Sequence, residues 1–419
     1  MTSRERIRAA LNHEQPDRIP VDFGSTPVSG IAVSTVYRLR QALGLDRPDD
    51  RVKVIEPYQM LGEIKTDLLE KLHGDCVGIS GTINRIGIPN KDWKEWTLFD
   101  GSKVLVPGLF NIEPDEHGNI LQYPEGDRSV PPGLCMPKGG FYHDTIIRQK
   151  PIDDEHLNPE DNLEEFGPIS DDILEEHCKL SEWLYENTDY AIFYNMTGTS
   201  LGNVAAVPAP WLKEPKGIRD IGEWYMSHMT HRDYIYEVYE RQTDSAIDNL
   251  ARVKEAVGNR IDCMYLTGTD FGSQRGPLFS PDMYRDIYKP HFKRMCDWIH
   301  THTTWKTMIH TCGGIHPLMN DIIESGFDIL NPVQTSAADM DPQKLKDEYG
   351  ERIVFHGGGV ETQTTLPHGT PEEVYEEVSN RIRVFNKGGG FIFNTIHNIQ
   401  ADVPVENIVA MVKAIEDSF

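Results

Sequence analysis

Positive charge is scarce in this chain: 41 Lys and Arg stand against 66 Asp and Glu among 419 residues, a formal net charge of −25. Binding to a phosphate polymer or an anionic membrane surface needs a basic face that displaces counterions, so partners held in that way are excluded. Long apolar runs are absent as well, and none approaches the roughly 18 residues that mark a membrane span. The first residues, MTSRERIRAALNHEQPDRIP, have no apolar core of a leader and no small-residue cleavage site. Thr2 and Glu5 instead read as a capping box opening a short helix, and the expected location is the cytoplasm. The six cysteines form no C-x-x-C pair and no disulfide spacing, so they read as reduced thiols. There is also no P-loop, strand–GxGxxG–helix fingerprint, G-x-S-x-G elbow or H-E-x-x-H, which removes the standard nucleotide, serine-hydrolase and zincin readings.

What the chain does have is a series of short apolar, β-branched segments, most followed by helical periodicity. They are Arg18 to Phe23, Cys76 to Ser80, Ala191 to Asn195, Ile261 to Leu266, Trp305 to His310, Phe327 to Val333, Arg352 to His356 and Gly390 to Asn394. Helices are expected over 32–43, 63–72, 171–186, 232–257, 281–300, 315–325, 342–349, 371–386 and 405–417. Pro281, Pro342 and Pro371 each follow a capping residue, the favoured place for proline at a helix start. Strand then helix, eight times over, predicts an α/β protein: a (β/α)8 TIM barrel of about 250 residues plus insertions. The expected organisation is one domain over 1–419. The surplus, residues 82–170, forms an insertion after the second strand that lies over the barrel mouth as a lid. Within it VLVPGLFNIEPDEHGNILQYP reads as a hairpin turning at Asp115 to Gly118. Residues 153–177 hold eleven acids and no Lys or Arg, and read as a solvated acidic stretch.

In such a barrel chemistry gathers at the C-terminal strand ends. These ends carry Asn195, Asp270, His310 with Cys312, Asn331 with Gln334, His356, and Asn394 with His397. The sharpest pattern is Ile309-His310-Thr311-Cys312-Gly313-Gly314. Side chains at i and i+2 of a strand point the same way, so an imidazole and a thiol converge on one point, a donor pair suited to Zn²⁺. The alternative is a small buried thiol beside a hydrogen-bonded histidine. A third ligand is needed, and His397 is the candidate because ring closure brings the last strand back to the mouth. Asp270 reads as a general base, as a partner behind the metal ligands or as a fourth ligand, and equally as a cap for loop amides. His356, ahead of Gly357-Gly358-Gly359, reads as a catalytic hydrogen-bond donor, with the glycine amides exposed to an anion. Asn195, Asn331, Gln334 and Asn394 are the expected substrate contacts.

Four segments together carry a family resemblance: IRAALNHEQPDRIPVDF, TDFGSQRGPLFSPDMYRDIYKPHFKRM, HTCGGIHPLMNDIIESGFDILNPVQTSAADMDPQKLKDEYG and FIFNTIHNIQADVPVENIVAMV. They resemble the uroporphyrinogen decarboxylase superfamily, and within it the zinc-dependent, corrinoid-linked methyltransferases. The resemblance implies a (β/α)8 barrel, a zinc held by an H-x-C pair, matched by His310 and Cys312, and a later cysteine. Here no cysteine falls near the end of the eighth strand, and His397 is the nearest substitute. The Arg-Gln-Ala-Gly-Arg stretch of true uroporphyrinogen decarboxylases is replaced by Gly24-Ser25-Thr26-Pro27-Val28. Where those enzymes place an Asp, this chain has Ile79-Ser80-Gly81-Thr82, so haem biosynthesis is not expected.

The expected activity is zinc-dependent methyl transfer between a small substrate, with a lean to an O-methyl donor, and a corrinoid (cobalamin). No D-x-H-x-x-G signature is present, so the corrinoid arrives on a partner protein or free in solution. Two alternatives stand beside it. One is a lyase acting on another carboxylated substrate, for which Arg275 and Lys306 are the candidate cations. The other is a non-catalytic metabolite-binding barrel.

Overall fold

The computed structural model describes residues 1–47 and 50–419. Seven parallel strands form one curled sheet: β1 (Cys76–Ile79), β2 (Ala191–Asn195), β3 (Cys263–Thr267), β4 (Lys306–His310), β5 (Ile329–Asn331), β6 (Val354–His356) and β7 (Phe391–Ile392). Neighbours in sequence are neighbours in the sheet from β1 to β7. The first expected strand, Arg18 to Phe23, is reduced to a single parallel bridge between Val21 and Phe393. Its position still joins the two edges. On one side Asp22 N donates to Phe393 O (2.9 Å) and Phe393 N to Pro20 O (2.8 Å), and on the other Asp75 N donates to Val21 O (2.7 Å). Two residues explain the shortened strand. Pro20 has no N–H for a ladder, and the Val21 N–H is taken by the Asp75 carboxylate (3.0 Å). The result is an α/β barrel-like ring.

The barrel interior is layered by the two-residue period of its strands. Ala191 and Phe193, Cys263 and Tyr265, Met308, Ile329, Val354 and Ile392 pack into one buried interior cluster. The helix Ser3–Leu11, opened by the Thr2/Glu5 capping box, closes the bottom of that cluster with Ile7, Ala10 and Leu11. Arg6 and Arg8 tie it to Asp75 (2.7 Å) and Asp262 (2.6 Å), the residues just before β1 and β3. The opposite faces of the strands carry Ile192, Tyr194, Leu266, Ile309, Leu330 and Phe355, which pack against the surrounding helices.

Helix boundaries follow the caps. Ser280 Oγ accepts from Met283 N, Asp341 Oδ1 from Lys344 N, and Thr370 with Glu373 forms a second capping box. The expected helix from Pro281 is interrupted by a π-turn over Tyr284–Tyr288 before Lys289–His302 resumes. Pro290 supplies the reason, since it cannot donate to the carbonyl four residues back and its ring crowds that carbonyl. The helix Ile221–Thr230 was not expected, because it follows directly on a Gly- and Pro-rich loop.

The chain before β1 and the segment between β1 and β2 together build two small sheets. Lys94–Thr97 pairs antiparallel with Lys103–Val106, which runs parallel to Val52–Glu56. Ile120–Gln122, Leu134–Met136 and Asp144–Thr145 form an antiparallel meander. The expected hairpin is therefore broken up: its turn forms, with Asp115 Oδ1 accepting from His117 N and Asn119 N, but it extends no further than the Asp115 N–Asn119 O bond and the Pro114–Ile120 bridge. Val104 and Leu121 find partners in different sheets. Among the described residues no helix is long and apolar enough to cross a membrane.

Candidate metal centre

The parity that sends Met308, Ile329, Val354 and Ile392 into the barrel places His310, Asn331, His356 and Asn394 one step higher on the same strands. This second layer is polar and almost wholly buried; Asn331, His356 and Asn394 are 0% exposed and His310 5%. A buried polar group costs free energy unless it is paired, and these are paired with one another. His310 Nδ1 donates to Asn331 Oδ1 (2.6 Å), and Asn331 Nδ2 donates to His356 Nδ1 (2.7 Å) and to its carbonyl (3.1 Å). His356 Nε2 donates to Asp22 Oδ2 (2.9 Å). Asp22 is held by Ser25 Oγ (2.6 Å) and Ser25 N (3.1 Å), and its carbonyl by Asn394 Nδ2 (2.5 Å). Read along the donors, this chain sets one tautomer: His310 carries its proton on Nδ1 and turns a free Nε2 upwards.

Above that nitrogen sits Cys312, its Sγ 3.4 Å from His310 Nε2. The His397 ring lies 5.5 Å from that of His310, nearly edge-on. One ligand atom from each of His310, Cys312 and His397 lies within 4.8 Å of the others. The donor set fits a zinc ion, whose bonds of about 2.0 to 2.3 Å give ligand-to-ligand edges of about 3.3 to 3.7 Å. Burial holds both imidazoles at a pKa of about 4, so each presents a lone pair at neutral pH. Burial, and then the Asp270 charge, raise the Cys312 thiol well above its ordinary value. A bound cation would reverse that balance by stabilising the thiolate.

Asp270, itself pushed up by burial, accepts from Cys312 N (2.8 Å) and orients the turn that carries the thiol. Gln334 Oε1 accepts from Gly313 N (2.7 Å). Gly313 has φ +91°, and a Cβ there would lie 2.3 Å from the Gly272 carbonyl carbon. These glycines admit the Gly272–Ser273 ribbon rather than a ligand. The expected exposure of the amides after His356 is likewise not what the fold provides. Gly357 N donates to Ile392 O and Gly359 N to Asn394 O.

A cavity of about 260 Å³ opens beside the trio, lined by Cys312, His397, Gln334, Gln274, Glu361 and Gln363 among others. Gln334 reaches it, whereas Asn331, Asn394 and His356 line none of the described cavities and spend their polar atoms below it. Asn195 lies in the same buried layer, its Nδ2 clamping Ser25 O, Ile79 O and Ser80 Oγ. Its Oδ1 has no partner among the described residues. Lys306 sits at the other end of the barrel beside Asp328 (3.4 Å), and Arg275 is exposed on the Gly272–Pro277 ribbon. Sequence reasoning missed Asp22 and Glu361. Asp22 lay inside a segment read as strand. Glu361, 6% exposed with Oε2 unpartnered among the described residues, follows the three glycines after β6.

Residues 216–418 match the family model described as Uroporphyrinogen decarboxylase (URO-D). The C-terminal half, which carries the trio, thus bears out the resemblance to that superfamily. Curated relatives are uroporphyrinogen decarboxylases: one from Psychromonas ingrahamii is 33% identical over 78 residues, 19% of this chain and 21% of the relative. Another, from Pelobacter propionicus, is 28% identical over 142 residues, 34% of this chain and 39% of the relative. The chain spans well under half the length of these relatives. A solved methyltransferase from Methanosarcina mazei shares the fold, with a TM-score of 0.55 at 17% identity over 100% of this chain and 99% of that one.

Proposed function

We propose that His310, Cys312 and His397 hold zinc, and that the protein transfers a methyl group between a small O-methyl substrate and a corrinoid. The observation that carries the reading is the convergence of the three ligand atoms, backed by the buried hydrogen-bond chain that presents His310 Nε2. Likeness in fold to the Methanosarcina mazei methyltransferase supports the same class. Bound zinc supplies a Lewis acid that stabilises charge on a departing oxygen. Two neutral imidazoles and one thiolate leave a site one unit more positive than one imidazole and two thiolates, which favours an ether oxygen over a thiol as the group activated.

The chain's own residues do the positioning. Asp270 and Gln334 fix the Cys312–Gly313 turn, and Gln334, Glu361 and Gln363 line the cavity where the substrate meets the trio. Residues 82–170 act as the lid in this reading. Phe141, Tyr142 and Asp144 line a second cavity, of about 610 Å³, which shares Thr362 and Gln363 with the first. The corrinoid comes from a partner protein or from solution.

Metal analysis and methyl transfer from an aryl methyl ether to free cob(I)alamin test the reading together. Near-stoichiometric zinc that is lost in His310→Ala and Cys312→Ala is expected. A metal-free protein, or transfer to thiols alone, overturns it. The decarboxylase named in the relatives has less support, since Lys306 is at the far end of the barrel and Gly24 to Val28 offers no arginine.

A further inference from the structure

The cavity beside the trio is small, about 260 Å³, and its lining includes one acid, Glu361, and no lysine or arginine. Glu361 is held from three sides. Its N donates to Glu377 Oε1 (3.2 Å), its carbonyl accepts from Leu366 N (2.9 Å), and its Oε1 accepts from Gln363 N (3.0 Å). The fourth polar atom is left over: Oε2 is buried without a partner among the described residues, on a side chain only 6% exposed. Glu361 enters no ion pair among those residues, and Arg381, on the helix behind it, is paired with Glu377 (3.1 Å). Two neighbouring amide oxygens are occupied, Gln334 Oε1 by Gly313 N (2.7 Å) and Gln363 Oε1 by Gln274 Nε2 (2.8 Å). Glu361 is not one of the groups whose ligand atoms converge within 4.8 Å, so it stands in the wall of the site and not among the ligands.

A carboxylate oxygen accepts only, and burying one without a donor costs more than an ordinary hydrogen bond contributes. What the cavity holds can supply that donor. An ammonium would be repelled by a zinc centre of two neutral imidazoles and one thiolate, whose net charge is positive, whereas a neutral hydroxyl would not. We propose that Glu361 is a specificity-determining residue: its Oε2 accepts a hydrogen bond from a hydroxyl that neighbours the methoxy group of the substrate, and so turns the ether oxygen towards the trio. No bond forms or breaks at Glu361. The inference deepens the methyl-transfer reading, and rests on it only for the ether group.

Calorimetric titration of the full-length protein as purified, with 2-methoxyphenol and with methoxybenzene, which lacks only the hydroxyl, tests this role. The phenol is expected to bind about tenfold or more tightly, although burial of apolar area alone would favour methoxybenzene. Glu361→Gln keeps the bond from Gln363 N at its carbonyl oxygen and puts an N–H group where Oε2 was. It is expected to bring the two compounds within about threefold of each other, and Glu361→Asp to keep part of the preference, with melting temperatures confirming that both variants fold. Equal binding by the unaltered protein, a preference that survives Glu361→Gln, or no binding of either compound overturns the proposal. The heat of binding is read without turnover and without a corrinoid. A hydroxyl preference without methyl transfer would refute the reading of the reaction and leave Glu361 in this role, and methyl transfer without a hydroxyl preference would do the reverse.

Discussion

The lower and upper layers of the barrel are two residues apart on the same strands and obey opposite rules. Met308, Ile329, Val354 and Ile392 below are apolar and need only to fill volume. His310, Asn331, His356 and Asn394 above are just as buried, yet every one is held by a specific hydrogen bond. The lower layer closes the barrel and the upper one aims a lone pair. A floor of paired polar groups under the mouth is a costly construction, and it presents the His310 Nε2 lone pair towards Cys312 and His397.

Removing the ligand itself gives the largest effect. Cys312→Ala should abolish zinc retention and methyl transfer while leaving the fold intact, as read by metal content and circular dichroism. Breaking the lower layer comes next. Met308→Asn puts an unpaired amide among apolar neighbours and should cost about 2 kcal/mol or more in denaturant unfolding, whereas Met308→Leu should cost less than about 1.5. Disturbing the chain beneath His310 acts on both properties: His356→Gln or Asp22→Asn should weaken zinc binding by about 10- to 100-fold in a competitive chelator titration and also lower the melting temperature of the metal-free form, because a fully buried partner is left unpaired.

The response to pH is a further test. His143, His228, His310 and His397 are each held at about 4 by burial, below their unfolded value. The unfolded chain takes up their protons first. The stability they contribute is therefore complete above about pH 6.5 and is lost as the pH falls towards 4, by up to about 1.4 kcal/mol per pH unit for each imidazole. Melts of the metal-free protein across that window should show the decline, and His397→Gln should flatten it slightly. A melt independent of pH between 6.5 and 4 would contradict the burial of these rings.

Much of this was legible in the residues. Short apolar, β-branched segments located β2 and β4 almost to the residue, and the Ser280, Asp341 and Thr370 caps located three helix starts. His310 and Cys312 stood out because i and i+2 on a strand share a side. Other features were not legible. Asp22 matters through His356, 334 positions away. Val104 and Leu121 carry strand signals that say nothing of which strand each will join.

The sequence by itself determined most of the sheet's strands, several helix starts and that His310 and Cys312 point the same way, because those follow from local period and short-range hydrogen bonding. Only the tertiary structure decided that His397 comes beside them and that His356 sits below. Both depend on the ring closing at Val21, and closure is a property of the whole chain.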